Sequence, residues 1–162
     1  MHKALFVVCL SCLVTSLAVA QTKMSSTIKC AKPSVEQTVP VGDRPDHSFG
    51  VTQGSCTSSK PWTIAGVAGK EGVGTSSVEA NGAVAKSHGV YVETMENGDK
   101  AYYHFAATAT TKDGQVQVSG HTWQLVGGTG KLKGAKGHGT CKGSGTPDSI
   151  TYECKGEYTM GK

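Results

Sequence analysis

The 162-residue sequence predicts an all-β domain, an antiparallel, eight-stranded, up-and-down-like β-barrel stapled by disulfides. Three observations carry this prediction. No segment repeats apolar residues at the three- and four-residue spacing of a helix, whereas 22 glycines and many Val, Thr and Tyr punctuate the chain at short intervals. Three turn dipeptides, Asn81-Gly82, Asn97-Gly98 and Asp113-Gly114, follow one another at sixteen-residue spacing between strand-like runs. Four cysteines, Cys30, Cys56, Cys141 and Cys154, follow a segment that reads as a secretory leader.

That leader is residues 1–20, "MHKALFVVCLSCLVTSLAVA", with Lys3 ahead of an apolar run and the small-residue pattern Ala18-Val19-Ala20 before Gln21. Ser11, Thr15 and Ser16 interrupt a run already short for a membrane span, so no membrane insertion is expected after cleavage and the protein is expected to be secreted or periplasmic. The mature chain, 162 less 20 or 142 residues, suits one domain: residues 21–46 hold an N-terminal strand and a loop with Pro33, Pro40 and Pro45, and residues 47–162 complete the barrel. Its 15 basic and 12 acidic residues leave a net charge of +3, too mild for a nucleic-acid-binding face.

The elements follow in order. One strand is expected around 28–31, then strands near 47–56 and 61–67. A meander follows at 71–80, 83–96, 99–111 and 115–126, and strands near 130–143 and 149–160 bring the total to about eight, a size that either fills its lumen or holds one small ligand. Two-residue type I′ turns would fix the register. About Asn97-Gly98 they set Tyr91 opposite His104, Val92 opposite Tyr103 and Glu93 opposite Tyr102. About Asp113-Gly114 they set His104 opposite Trp123, Phe105 opposite Thr122 and Ala106 opposite His121. One face then carries Val90, Val92, Tyr103, Phe105, Ala107, Val116, Val118 and Val126. The other carries Tyr91, Glu93, Met95, Tyr102, His104, His121, Trp123 and Leu125. Neither is plainly polar, as expected of a barrel whose interior is partly cavity; a bulge near Ser87-His88-Gly89 is the place where this register would slip.

Among the cysteines, "CKGSGTPDSITYEC" centres a turn on Pro147-Asp148 and so places Cys141 opposite Cys154, within disulfide reach, on a face shared with Ile150, Tyr152 and Tyr158. Cys30–Cys56 follows by elimination. The rival pairing joins Cys30 to Cys154 across the barrel seam and Cys56 to Cys141. A zinc site lacks any Cys-x-x-Cys pair or His at a ligand interval.

The stretch "VGGTGKLKGAKGHGTCKG", Val126 to Gly143, alternates glycine with lysine. A phosphate loop needs G-x-x-x-x-G-K-[ST], and here Gly130-Lys131 is followed by Leu132. A basic binding strip on Lys131, Lys133, Lys136 and Lys142 would lack interleaved aromatics. The remaining reading is architectural: Gly127, Gly128 and Gly130 permit a sharp corner, and Gly137, Gly139, Cys141 and Gly143 share one face of the next strand, where small residues allow curvature. "VGGTGKLKGAKG" resembles the G-G-[TS]-G-x-[FL]-x-x-[AV]-x-G signature of the allene oxide cyclase and dirigent superfamily of eight-stranded barrels. The resemblance implies a lumen that holds hydrophobic small molecules, in a secreted, bacterial-type member. The family's catalytic carboxylates and arginines have no counterpart here, since the one arginine is Arg44, in the proline-bearing loop.

The candidate ligand-binding residues are therefore Tyr91, Glu93, Tyr102, His104, His121 and Trp123, gathered by the expected register on three strands. Glu93 and His104 are the candidate acid/base pair. Three functions compete: binding of a hydrophobic or aromatic small molecule, a cyclase-like enzyme using Glu93 and His104, and a ligand-free extracellular structural or interaction protein with a filled barrel. Dispersed histidines without H-E-x-x-H, and serines without a nucleophile elbow, give no support to a metal, nucleotide or flavin cofactor or to a serine hydrolase.

Overall fold

The computed structural model describes residues 21–161; the expected leader, 1–20, lies outside the described residues. The strands are β1 (Thr22–Ala31), β2 (Val35–Pro40), β3 (His47–Lys60), β4 (Thr63–Ile64), β5 (Val67–Asn81), β6 (Val84–Met95), β7 (Lys100–Lys112), β8 (Gln115–Gly128), β9 (Ala135–Thr146) and β10 (Ser149–Met160), with one 3-10 turn at Gly130–Leu132. All pairings are antiparallel, and the ring β1-β3-β5-β6-β7-β8-β9-β10 closes where β10 meets β1. The protein is an eight-stranded antiparallel barrel. Closure leaves these eight strands paired on both sides, so that among the described strands only the short β2 and β4 keep an unpaired edge.

The N-terminal segment contributes more than the single strand expected. β2 pairs with the first half of β3 and β1 with its end, so the two lie end to end as one barrel position interrupted at 32–34. Conversely, the strand expected over 61–67 shrinks to the two residues of β4. Trp62 and Ile64 turn into the barrel instead, both buried, and plug one end together with Met95, Leu125, Leu132, Ala135 and Tyr158. The backbone of the plug is anchored by Gly69 N donating to Trp62 O (3.1 Å) and Ala65 N donating to the Tyr158 hydroxyl (3.1 Å).

The turns correct the predicted register. Only Asp113-Gly114 has both residues at positive φ and pairs Lys112 with Gln115 as expected of a type I′ turn. At the first hairpin Asn81 pairs with Val84, so the central residues are Gly82-Ala83 rather than 81–82. At the second, Met95 N donates to Asp99 O and Gly98 N to Met95 O, enclosing a three-residue loop, 96–98, in which only Gly98 has positive φ. The extra residue moves the β6–β7 register by one: Tyr91 faces Tyr103, Val92 faces Tyr102, Val90 faces His104 and Glu93 faces Ala101. A bulge at 119–121, with Gly120 at φ 59°, rather than one near 87–89, shifts β7–β8 by another residue, so Phe105 faces Trp123, Ala106 faces Thr122 and His104 faces Gln124.

Both disulfides take the expected pairing, Cys30–Cys56 and Cys141–Cys154, each between directly opposed residues. The glycine-lysine stretch is architecture. Thr129 N donates to Lys100 O, Lys100 N to Thr129 Oγ1 and Lys131 N to Asp99 Oδ2, which holds the corner against the β6–β7 loop and drops Leu132 into the plug. A Cβ on Gly128 would stand 2.6 Å from both Leu132 Cβ and Lys100 O, so this position requires glycine. Along β9 the lysines point outward and the glycines inward. The Trp123 ring lies on Gly139 and Gly156, where an added Cβ would come within 2.4 Å of Cζ2.

Gly139→Ala should therefore destabilise the barrel by about 1–3 kcal/mol through overpacking. Gly74→Ala, whose Cβ would meet only Tyr91 Cδ2 at 3.7 Å, should be neutral or stabilise by up to about 1 kcal/mol. Urea-unfolding midpoints of the two variants check this; equal shifts would contradict the glycine seat.

Candidate functional site

Opposite the plug the barrel interior holds a cavity of about 300 Å³. Ala31, Pro33, Val78, Ala85, Ala109 and Pro147 line it toward the β5–β6, β7–β8 and β9–β10 hairpins, which marks that end as the mouth. Aromatic side chains dominate its depth. Tyr103 and Phe105 of β7, His121 and Trp123 of β8, Tyr152 of β10 and Tyr91 of β6 project inward, with Trp62 rising from the plug. Across the ring, β3 and β5 present small groups, Thr52, Gly54, Gly74 and Ser76. The result is a slot between an aromatic wall and a wall of small residues.

At the floor sits Glu93, with none of its surface exposed. Trp62 Nε1 donates to its Oε2 at 2.8 Å and the Tyr103 hydroxyl donates to the same oxygen at 2.9 Å. Glu93 Oε1 has no partner. It rests on the backbone of Gly69, where a Cβ would fall 2.1 Å away, and the Tyr91 hydroxyl rests likewise on Gly72. Burial raises the Glu93 carboxyl above its ordinary value of 4.5, against the opposing pull of the two donated hydrogen bonds. Burial also raises Tyr91 and Tyr103, the nearby Glu93 charge adding to both, and pushes His121 down to about 4, so the imidazole is neutral at ordinary pH.

Of the six candidates from sequence, Tyr91, Glu93, His121 and Trp123 line the cavity. Tyr102 and His104 do not: both are exposed on the outer surface. The one-residue slip at the 96–98 loop reverses the facing of β7 relative to β6, replacing them with Tyr103 and Phe105. The expected first face is thereby split: Val90 and Val92 point outward, while Tyr103, Phe105, Val116 and Val118 point inward. Glu93 and His104 therefore lie on opposite sides of the barrel wall and form no acid/base pair. Trp62 was hidden by its place in an expected strand; the run Pro61-Trp62-Thr63-Ile64-Ala65-Gly66, bounded by proline and glycine, was the available signal of a turn instead. Among the described residues no cluster of three or more His, Cys, Asp or Glu gathers to hold a metal ion.

The two buried titrating groups oppose each other in their pH linkage. Folded Glu93 holds its proton more tightly than the unfolded chain does, so its contribution to stability is full below pH 4.5 and is lost as pH rises through the raised value. His121 contributes fully above pH 6.5 and loses about 3 kcal/mol as pH falls through 4. Thermal unfolding midpoints from pH 4 to 8 should show the alkaline decline flattened in Glu93→Gln and the acid decline flattened in His121→Phe. A Glu93→Gln profile parallel to that of the parent would contradict a Glu93 carboxyl raised by burial.

Comparison with known proteins locates the fold and no activity. No family model matches the chain, and no curated protein matches it significantly. A solved structure from Shewanella oneidensis MR-1, a protein of unknown function from the DUF3224 family, superposes with a TM-score of 0.51 at 16% identity, over 88% of this chain and 99% of that one. At this identity the likeness is one of fold alone.

Proposed function

We propose that this protein is an exported barrel that binds a hydrophobic or aromatic small molecule in its lumen. One observation carries the reading: the cavity is walled by aromatic rings yet includes side chains whose buried polar atoms have no protein partner. A barrel that served only as scaffold would fill its interior and satisfy such groups, since each buried unpaired polar atom costs about 1–3 kcal/mol. A pocket of this size with few polar groups among aromatics is the usual form of a small-molecule site.

The cyclase-like alternative, by contrast, loses its proton-transfer pair with His104 on the outside, which favours binding over catalysis. The kinship with the allene oxide cyclase and dirigent barrels is part of this proposal, supported by the up-and-down eight-strand ring and by the corner role of the Gly127–Gly137 stretch. Export is supported by the leader pattern and the two disulfides.

N-phenyl-1-naphthylamine, a neutral fluorescent ring compound, should bind the protein with a fluorescence increase and quench Trp62 and Trp123. Ala109→Trp, which places an indole at the mouth, should weaken that binding at least tenfold. Binding undiminished in Ala109→Trp would place the probe outside the lumen, and no binding to the parent protein would remove the proposal.

A further inference from the structure

Resting on the lumen-binding reading, we infer that the ligand is an uncharged, flat compound of one or two rings that carries a hydrogen-bond acceptor such as a carbonyl. No lysine or arginine is among the side chains that line the cavity. An anionic ligand such as a fatty acid or aryl carboxylate would have to shed its water without a counter-ion, at a cost of several kcal/mol.

A cation fares no better. Recognition of an ammonium by aromatic faces needs rings spaced to admit it. Here Trp62, Tyr103 and Trp123 pack directly on one another, with ring centroids 5.0–5.9 Å apart, so the cage is already filled by its own walls. The one carboxyl at the floor is already engaged by Trp62 and Tyr103, and burial raises it, which disfavours its charged form.

Shape and polarity then narrow the class. The slot between the aromatic wall and Thr52, Gly54, Gly74 and Ser76 admits a planar ring better than a branched or long chain, and its volume is at the small end of ligand pockets. Six side-chain atoms are buried without partners among the described residues, and four belong to cavity-lining residues: Tyr91 OH, Glu93 Oε1, His121 Nδ1 and Trp123 Nε1. Trp123 Nε1 is a donor only, and the Tyr91 hydroxyl, raised by burial, keeps a proton it can donate. Two of the four unmet atoms are thus donors, which an acceptor on the ligand would satisfy directly or through water.

Four naphthalene probes of nearly equal shape separate the possibilities by isothermal titration at pH 7: 2-acetonaphthone, 2-ethylnaphthalene, 2-naphthoate and 2-naphthylmethylammonium. The ketone should bind at least tenfold more tightly than each of the other three. Tyr91→Phe and His121→Leu, checked for folding by circular dichroism, should each narrow the ketone-to-hydrocarbon affinity ratio threefold or more. Hydrocarbon binding as tight as ketone binding, or tightest binding by either ion, would overturn the inference while leaving lumen binding intact. A ratio unchanged in both variants would also overturn it. Failure of all four probes to bind would bring down the lumen reading itself.

Discussion

A carboxyl buried at the floor of a barrel depends on its neighbours, and Glu93 has two, both on Oε2. Trp62 reaches it from the segment between β3 and β5, and Tyr103 reaches it from the barrel wall. Because both donate to the same oxygen, the acid ties the plug to the wall at one point. With Trp62 held there, Ile64 packs beneath it against Met95, Leu125 and Leu132, and that end of the barrel is closed. Losing either donor would leave Oε2 one bond and cut the tie between plug and wall; losing both would leave a buried acceptor unpaired, a larger cost than the mean value of a hydrogen bond. The floor of the cavity, and hence its depth, follows from this one cluster.

The walls depend on a second constraint, the pairing of large rings with glycine. Inward aromatics of this size cannot all fit in an eight-stranded ring unless neighbouring strands give up their side chains. Trp123 lies over Gly139 and Gly156, Tyr152 over Gly143 and Tyr91 over Gly72. The glycine-rich face of β9 is thus the complement of the aromatic face, and the lysines alternating with it are the solvated exterior of the same strand. What resembles a phosphate or nucleic-acid motif in one dimension is the two-residue period of a strand seen edge on.

Much of this was legible in the sequence because it rests on local chemistry. The strand runs, the Asp113-Gly114 turn, the 141–154 hairpin and both disulfides depend only on residues close in the chain or on elimination among four cysteines. Less legible was anything that hung on counting residues through a loop. Asn97-Gly98 can be the centre of a two-residue turn or the end of a three-residue loop, and Gly98 alone at positive φ selects the second. That single residue of difference turned Tyr102 and His104 outward and Tyr103 and Phe105 inward. The plug was hidden for another reason: Trp62 and Ile64 are as compatible with a strand as with a buried loop, and only the distant Glu93 and Tyr158 decide between them.

The account turns on where a neutral aromatic ligand sits. Intermolecular nuclear Overhauser effects between N-phenyl-1-naphthylamine and the isotope-labelled protein test that most directly, because an alternative apolar surface exists outside: Phe49 and Val51 are each 49% exposed on the outer wall, and Val90 45%. The account predicts contacts to the ring protons of Phe105, His121 and Tyr152, with none to Phe49, Val51 or Val90. Contacts to that outer set without any to the lumen rings would contradict it.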